Sequence, residues 1–123
     1  MSTGAADTFR LRSDIWVAAY IRRNHADGGY AALRKRGAAE AGAVFVLVDR
    51  LDGRCALYAP GPADETTGER RWVRAHSLEF VSAADIETRI SREMGIDPDI
   101  WIVEIERRDG DPKLDLVELS DQR

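Results

Sequence analysis

The sequence predicts a small α+β domain: an antiparallel or mixed sheet of about five strands, built on two hairpins, with helices packed on one face. Three observations predict it. Two apolar runs, AVFVLV at 43–48 and IWIVEI at 100–105, have the length and β-branched content of strands. Ile86, Ile90 and Met94 recur at spacing four, the mark of an amphipathic helix laid on a sheet. The elements are grouped rather than alternating as β-α-β units, which argues against a wholly parallel sheet.

Taken in order, Ser13 is placed to cap a helix opening at Asp14, whose charge suits a helix start. Residues 15–21 (IWVAAYI) form an unbroken apolar run, and the polar Arg22-Arg23-Asn24-His25 continuation makes it a helix that Gly28-Gly29 ends. A second short helix is expected over 30–36, stopped by Gly37. The run 43–48 shows no alternation, so it reads as a strand buried on both faces. Asp52-Gly53 is a hairpin turn returning the chain through 54–59. Residues 61–69 are polar and turn-rich, a loop. A third strand is expected over 70–75, and Ser82 with Asp85 opens the amphipathic helix, with Gly95 as its stop. The strand at 100–105 follows, then a second hairpin turn at Asp109-Gly110 and a return strand over 114–119.

A chain of 123 residues suits one domain, placed at 13–119 between tails at 1–12 and 120–123. A single cysteine, Cys55, argues for a reducing compartment, and the start of the chain is small and polar, unlike a secretory leader. No window approaches the ~20 apolar residues that span a bilayer. These features place the protein in the cytoplasm, with no membrane partner.

Charge is unevenly distributed. Residues 1–62 carry nine basic and six acidic side chains, and residues 63–123 nine and sixteen, so the halves stand at +3 and −7. Seven basic residues fall between Arg10 and Arg36. The net charge of −4 opposes general nucleic-acid binding. A helix-turn-helix reading fares no better, because the second helix is short and offers few side chains for base edges. Arg34, Lys35 and Arg36, with Glu40 nearby, are the candidate site for a small anionic or phosphorylated ligand.

Other chemistries lack their residues. His25, His76 and Cys55 are the only nitrogen or sulfur ligands, and both histidines are expected to be exposed, so no metal site is assigned. Asp97, Asp99, Asp109 and Asp111 read as turn formers. Cys55 is expected to be buried and inert. Glu104 and Glu106 share one face of a strand, a common arrangement on an open sheet. Phosphate-loop and nucleophile-elbow motifs do not occur. No catalytic residue and no cofactor is assigned. Helix one, apolar all round, needs cover on two sides, which makes Trp16 and Tyr20 candidate anchors of a homodimer interface.

Three stretches together resemble a known family: Ser13-Asp14-Ile15-Trp16-Val17 with the alanine-rich helix after it, GGYAALRKRGAAEAGAVFVLV at 28–48, and Asp97-Pro98-Asp99-Ile100-Trp101-Ile102-Val103-Glu104. They are similar to the bacterial domain-of-unknown-function family 1491, small proteins of about this length. The resemblance covers nearly the whole chain after the tail and implies one compact bacterial cytoplasmic domain, with no activity or cofactor attached. It directs attention to Arg36-Gly37 and Glu40-Ala41-Gly42, which fall inside it.

The expected function is a non-enzymatic binding or interaction module that self-associates through helix one. The rival is a small enzyme or binder acting on an anionic metabolite near Arg34, Lys35 and Arg36. A concave site with convergent polar groups favours the rival, and a flat apolar patch favours self-association.

Overall fold

The computed structural model describes residues 10–117. The expected C-terminal tail, the last residues of the expected return strand and most of the N-terminal tail lie outside the described residues. The chain runs α1 (Ser13–Ala26), β1 (Tyr30–Lys35), β2 (Val44–Asp49), β3 (Arg54–Pro60), β4 (Trp72–Arg74), β5 (Val81–Ser82), α2 (Ala83–Ile96) and β6 (Trp101–Glu106). The class is α+β and the sheet is mixed, with spatial order β1-β6-β2-β3-β4 and β5 paired to β3. β2 and β6 run parallel at its centre, from Val44 beside Trp101 to Asp49 beside Glu106. No helix among the described residues is long and apolar enough to cross a membrane.

Two elements differ from the sequence reading. Residues 30–35 are a strand, not a helix. Tyr30 to Leu33 pair antiparallel with Glu106 to Val103, and a bulge precedes Lys35. Alanine, leucine, arginine and lysine favour a helix locally, but the seven residues between Gly29 and Gly37 make a poor helix, and the sheet pairing overrides propensity. The second hairpin does not close either. Gly110 does make the turn, at φ 74, but β6 already has β1 on one side and β2 on the other. With both edges of β6 taken, the following segment crosses to the far side of the sheet, where Leu116 bridges Trp72.

The helices also divide between the two faces of the sheet. Val44, Val46 and Val48 of β2, with Ala56, Tyr58, Trp101, Val103 and Ile105, pack under Val17 and Tyr20 of α1. Phe45 and Leu47, with Leu57, Ile100 and Ile102, pack on Ile86 and Ile90 of α2. A β2 buried on both faces, as expected, needs a layer on each, and one helix serves each face. Cys55 belongs to the α2 layer, and burial pushes its thiol up to about 11.

The helix ends are capped in different ways. Ser82 accepts from the Asp85 amide, 3.1 Å, as its position predicts. Ser13 caps nothing. The first amides of α1, from Ser13 and Asp14, instead donate to the carbonyls of Glu40 and Ala39, both at 3.0 Å. The Ser13 hydroxyl donates to the Gly42 carbonyl at 2.6 Å. The loop between β1 and β2 thereby caps α1, held close because a side chain at Gly37 would strike the Asp99 carbonyl.

Candidate functional site

The buried stripe of α1 is Ser13, Val17, Tyr20 and Asn24, which faces the sheet. One turn round the helix, Trp16, Ala19 and Arg23 face a cavity of about 530 Å³. Its floor is aromatic. Trp16 stacks on Tyr20 with ring centroids 4.8 Å apart, and Trp72 of β4 leans on Trp16 at 4.7 Å and 37°. Leu11 and Leu114 add apolar wall. The size is that of a pocket for a small organic molecule.

Charged groups gather around this floor from separate parts of the chain: Arg10, Arg23, Arg70 and Lys113, against Glu69 and Asp115. Arg70 is the most informative. It follows the 61–69 loop, which Asp64 organises by accepting from the amides of Thr66 and Thr67. One terminal nitrogen of Arg70 donates to the Leu11 carbonyl at 3.0 Å and to the Ser13 hydroxyl at 2.9 Å. Its Nε is buried and has no partner among the described residues. No carboxylate lies within ion-pair distance of it among the described residues. Burial, aided by the nearby charge of Arg10, lowers its guanidinium to about 10, so it remains cationic at neutral pH. A half-buried cation with no counter-charge is costly unless something neutralises it.

The fourth wall is the arm after β6. The Tyr20 hydroxyl donates to the Pro112 carbonyl at 2.6 Å. Lys113 then takes a left-handed backbone, φ 55, with its amide donating to Asp111 Oδ1 at 2.9 Å. Beyond it the Asp115 carbonyl accepts from the Trp72 amide, and the Val117 amide donates to the Trp72 carbonyl, both at 2.9 Å.

The residues singled out in the sequence fall elsewhere, with one exception. Arg34 sits on β1 and donates to both Glu87 oxygens of α2, at 2.9 and 3.0 Å, with Glu104 at 3.7 Å. Lys35 donates to the carbonyls of Pro98 and Ile100 at 2.6 and 3.0 Å. The Arg36 guanidinium lies over the Trp101 ring, 5.3 Å from its centroid. Glu40 is 79% exposed and meets Arg12 at 3.3 Å. These four do not converge; they brace the sheet and its loop. Tyr20 is 0% exposed and has no surface to give a partner. Trp16 is the exception, because it floors the cavity. The apolar excess of helix one is therefore spent on the sheet and on this pocket, leaving Ile15 half exposed on the outside.

Asp49, Glu104 and Glu106 bring carboxylate oxygens within 4.8 Å of one another on the α2 side of the sheet. Burial first, then the neighbouring acids, push the Glu104 carboxyl up, while Arg34 pulls it down. Arg34 is the cation that answers this cluster. His76 is not exposed as expected. Its Nε2 accepts from the Leu57 amide at 3.0 Å and its Nδ1–H donates to the Leu78 carbonyl at 2.6 Å. Asp97, Asp109 and Asp111 serve as turn formers, each accepting from the amide two residues on.

The comparisons with known proteins agree with this architecture. The family model described as "Protein of unknown function (DUF1491)" matches residues 11–115. The crystal structure of a DUF1491 family protein from Caulobacter crescentus CB15 is 37% identical with a TM-score of 0.73, covering 88% of this chain and 98% of that one. A solution structure of a protein from A. tumefaciens is 40% identical with a TM-score of 0.75, covering 89% and 97%. No curated protein matches significantly. The family match runs from Leu11 to Asp115, both of which line the cavity, and the chain belongs to the DUF1491 family.

Proposed function

We propose that the protein is a non-enzymatic binder of a small organic anion, held in the cavity between α1, Trp72 and the arm after β6. The observation that carries this reading is Arg70: a half-buried guanidinium facing an aromatic-floored cavity with no carboxylate of its own among the described residues. The anionic end of the ligand neutralises Arg70, and the apolar body lies against Trp16 and Trp72. Glu69 and Asp115 stand exposed at the rim, a poor setting for acid–base catalysis, so binding is favoured over turnover.

The test is a titration followed by tryptophan fluorescence and thermal shift, with inorganic phosphate, benzoate and phenyl phosphate as probes. At least one aromatic anion should quench fluorescence saturably and raise the melting temperature. Arg70→Gln should weaken that binding by about tenfold or more, the worth of a hydrogen bond to a charged group. Arg36→Ala should leave it unchanged. Absence of saturable binding by every probe, together with a dimer in light scattering at tens of micromolar, would return the outer face of α1 around Ile15 as the working surface.

A further inference from the structure

We propose that the cavity takes a phosphomonoester dianion carrying a flat apolar group, in preference to a carboxylate or another monoanion. This rests on the reading of the cavity as an organic-anion site and narrows its ligand class. Two observations carry it.

The first is charge. Four cations, Arg10, Arg23, Arg70 and Lys113, line the cavity with two acids, Glu69 and Asp115, an excess of two positive charges in the lining (four minus two). A third acid, Asp111, stands outside the lining, 3.7 Å from the exposed end of Lys113. Asp111 screens Lys113 only weakly, being an exposed pair at that distance, so the lining still attracts a dianion more strongly than a monoanion.

The second is the geometry of Arg70. A guanidinium grips a planar carboxylate through two parallel N–H groups, along one of its two edges. Both edges of Arg70 are closed. One terminal nitrogen is occupied by the Leu11 carbonyl and the Ser13 hydroxyl, and Nε is buried. A single terminal nitrogen remains, so Arg70 offers one contact and a charge. The remaining cations come from other segments that line the cavity: Arg10 before α1, Arg23 on α1, and Lys113 on the arm after β6. Single contacts arriving from several sides suit a tetrahedral group with oxygens pointing apart. Lysine serves such a group as a point charge. The left-handed backbone of Lys113, held by Asp111, sets that residue at the rim. The apolar floor of Trp16 and Trp72 receives the flat group.

Phenyl phosphate and phenyl sulfate test this directly. They match in size and shape, but the phosphate monoester loses its second proton near pH 6 whereas the sulfate ester stays a monoanion. At pH 7.5 phenyl phosphate should bind about tenfold tighter, and at pH 5 its affinity should fall to within about twofold of phenyl sulfate. Phenyl sulfate carries a constant charge, so it controls for any change in the protein's own charged groups at the site, Asp111 included. Lys113→Gln should weaken phenyl phosphate more than phenyl sulfate and so narrow the ratio between them. Equal affinity of the two probes at pH 7.5, with both still lost in Arg70→Gln, overturns the dianion assignment and leaves the organic-anion cavity standing. Failure of phenyl phosphate, phenyl sulfate and benzoate alike removes the cavity reading, and this inference with it.

Discussion

His76 shows how one side chain can complete a sheet. Along β3, β4 pairs with Tyr58 to Pro60 and β5 pairs with Arg54 and Cys55. The Leu57 amide falls in the gap between them, and the His76 imidazole accepts it in place of a backbone carbonyl. That role needs the neutral ring, because a protonated Nε2 has no lone pair to offer. Burial accordingly lowers the His76 pKa below its ordinary value of 6.5. The unfolded chain therefore binds the proton more readily than the folded one. The stabilisation is complete above the unfolded pKa and is lost as pH falls through it and on through the lower folded value. Urea unfolding should show a midpoint that declines from pH 7.5 to pH 5, and His76→Gln, whose side-chain carbonyl can still accept, should flatten that decline. An unchanged slope in the variant would mean that other groups set the acid sensitivity.

Elements were legible where their pattern was local. The run AVFVLV, the Ile86-Ile90-Met94 stripe and the Ser82 cap each declare their element within a few residues, and the structure has β2 and α2 there. Residues 30–35 were not legible, because their strand identity comes from β6, far along the chain, and not from their own helix-favouring side chains. The cavity was illegible for the same reason. Arg23, Arg70 and Lys113 stand in different segments, and Arg34-Lys35-Arg36, the cluster visible in the sequence, is consumed by Glu87, by loop carbonyls and by Trp101. Trp16 was visible, but its partner Trp72 was not. The arm after β6 is held at its start by Tyr20 and farther on by Trp72. Tyr20→Phe removes the hydroxyl and strands the Pro112 carbonyl, so stability should drop by about 1–3 kcal/mol in denaturant unfolding. Because the same arm carries Lys113, anion affinity should weaken in parallel. A variant with wild-type stability and affinity would show that the Trp72 contacts suffice to hold the arm.

At the scale of the whole molecule, one sheet divides two apolar layers, and all three tryptophans lie on the α1 side. Tryptophan emission therefore reports directly on the layer that borders the cavity, while Cys55 marks the other. The order of strands across the sheet has a consequence for how the protein is made. β6 is the last strand among the described residues, yet it lies between β1 and β2. Until it is present, β1 has no neighbour in the sheet and β2 lacks one side. A nascent chain leaving the ribosome must keep some of its earliest apolar segments waiting until residues 101–106 emerge. A chain ending at residue 99 should accordingly remain protease-sensitive and unfold without cooperativity, whereas one ending at residue 117 should resist digestion like the full protein; a protease-resistant shorter chain would show that β2, β3 and the helices can settle by themselves. Folding of this small domain thus waits on a single late insertion, and until that strand arrives the chain depends on whatever shields unfinished sheets in the cell.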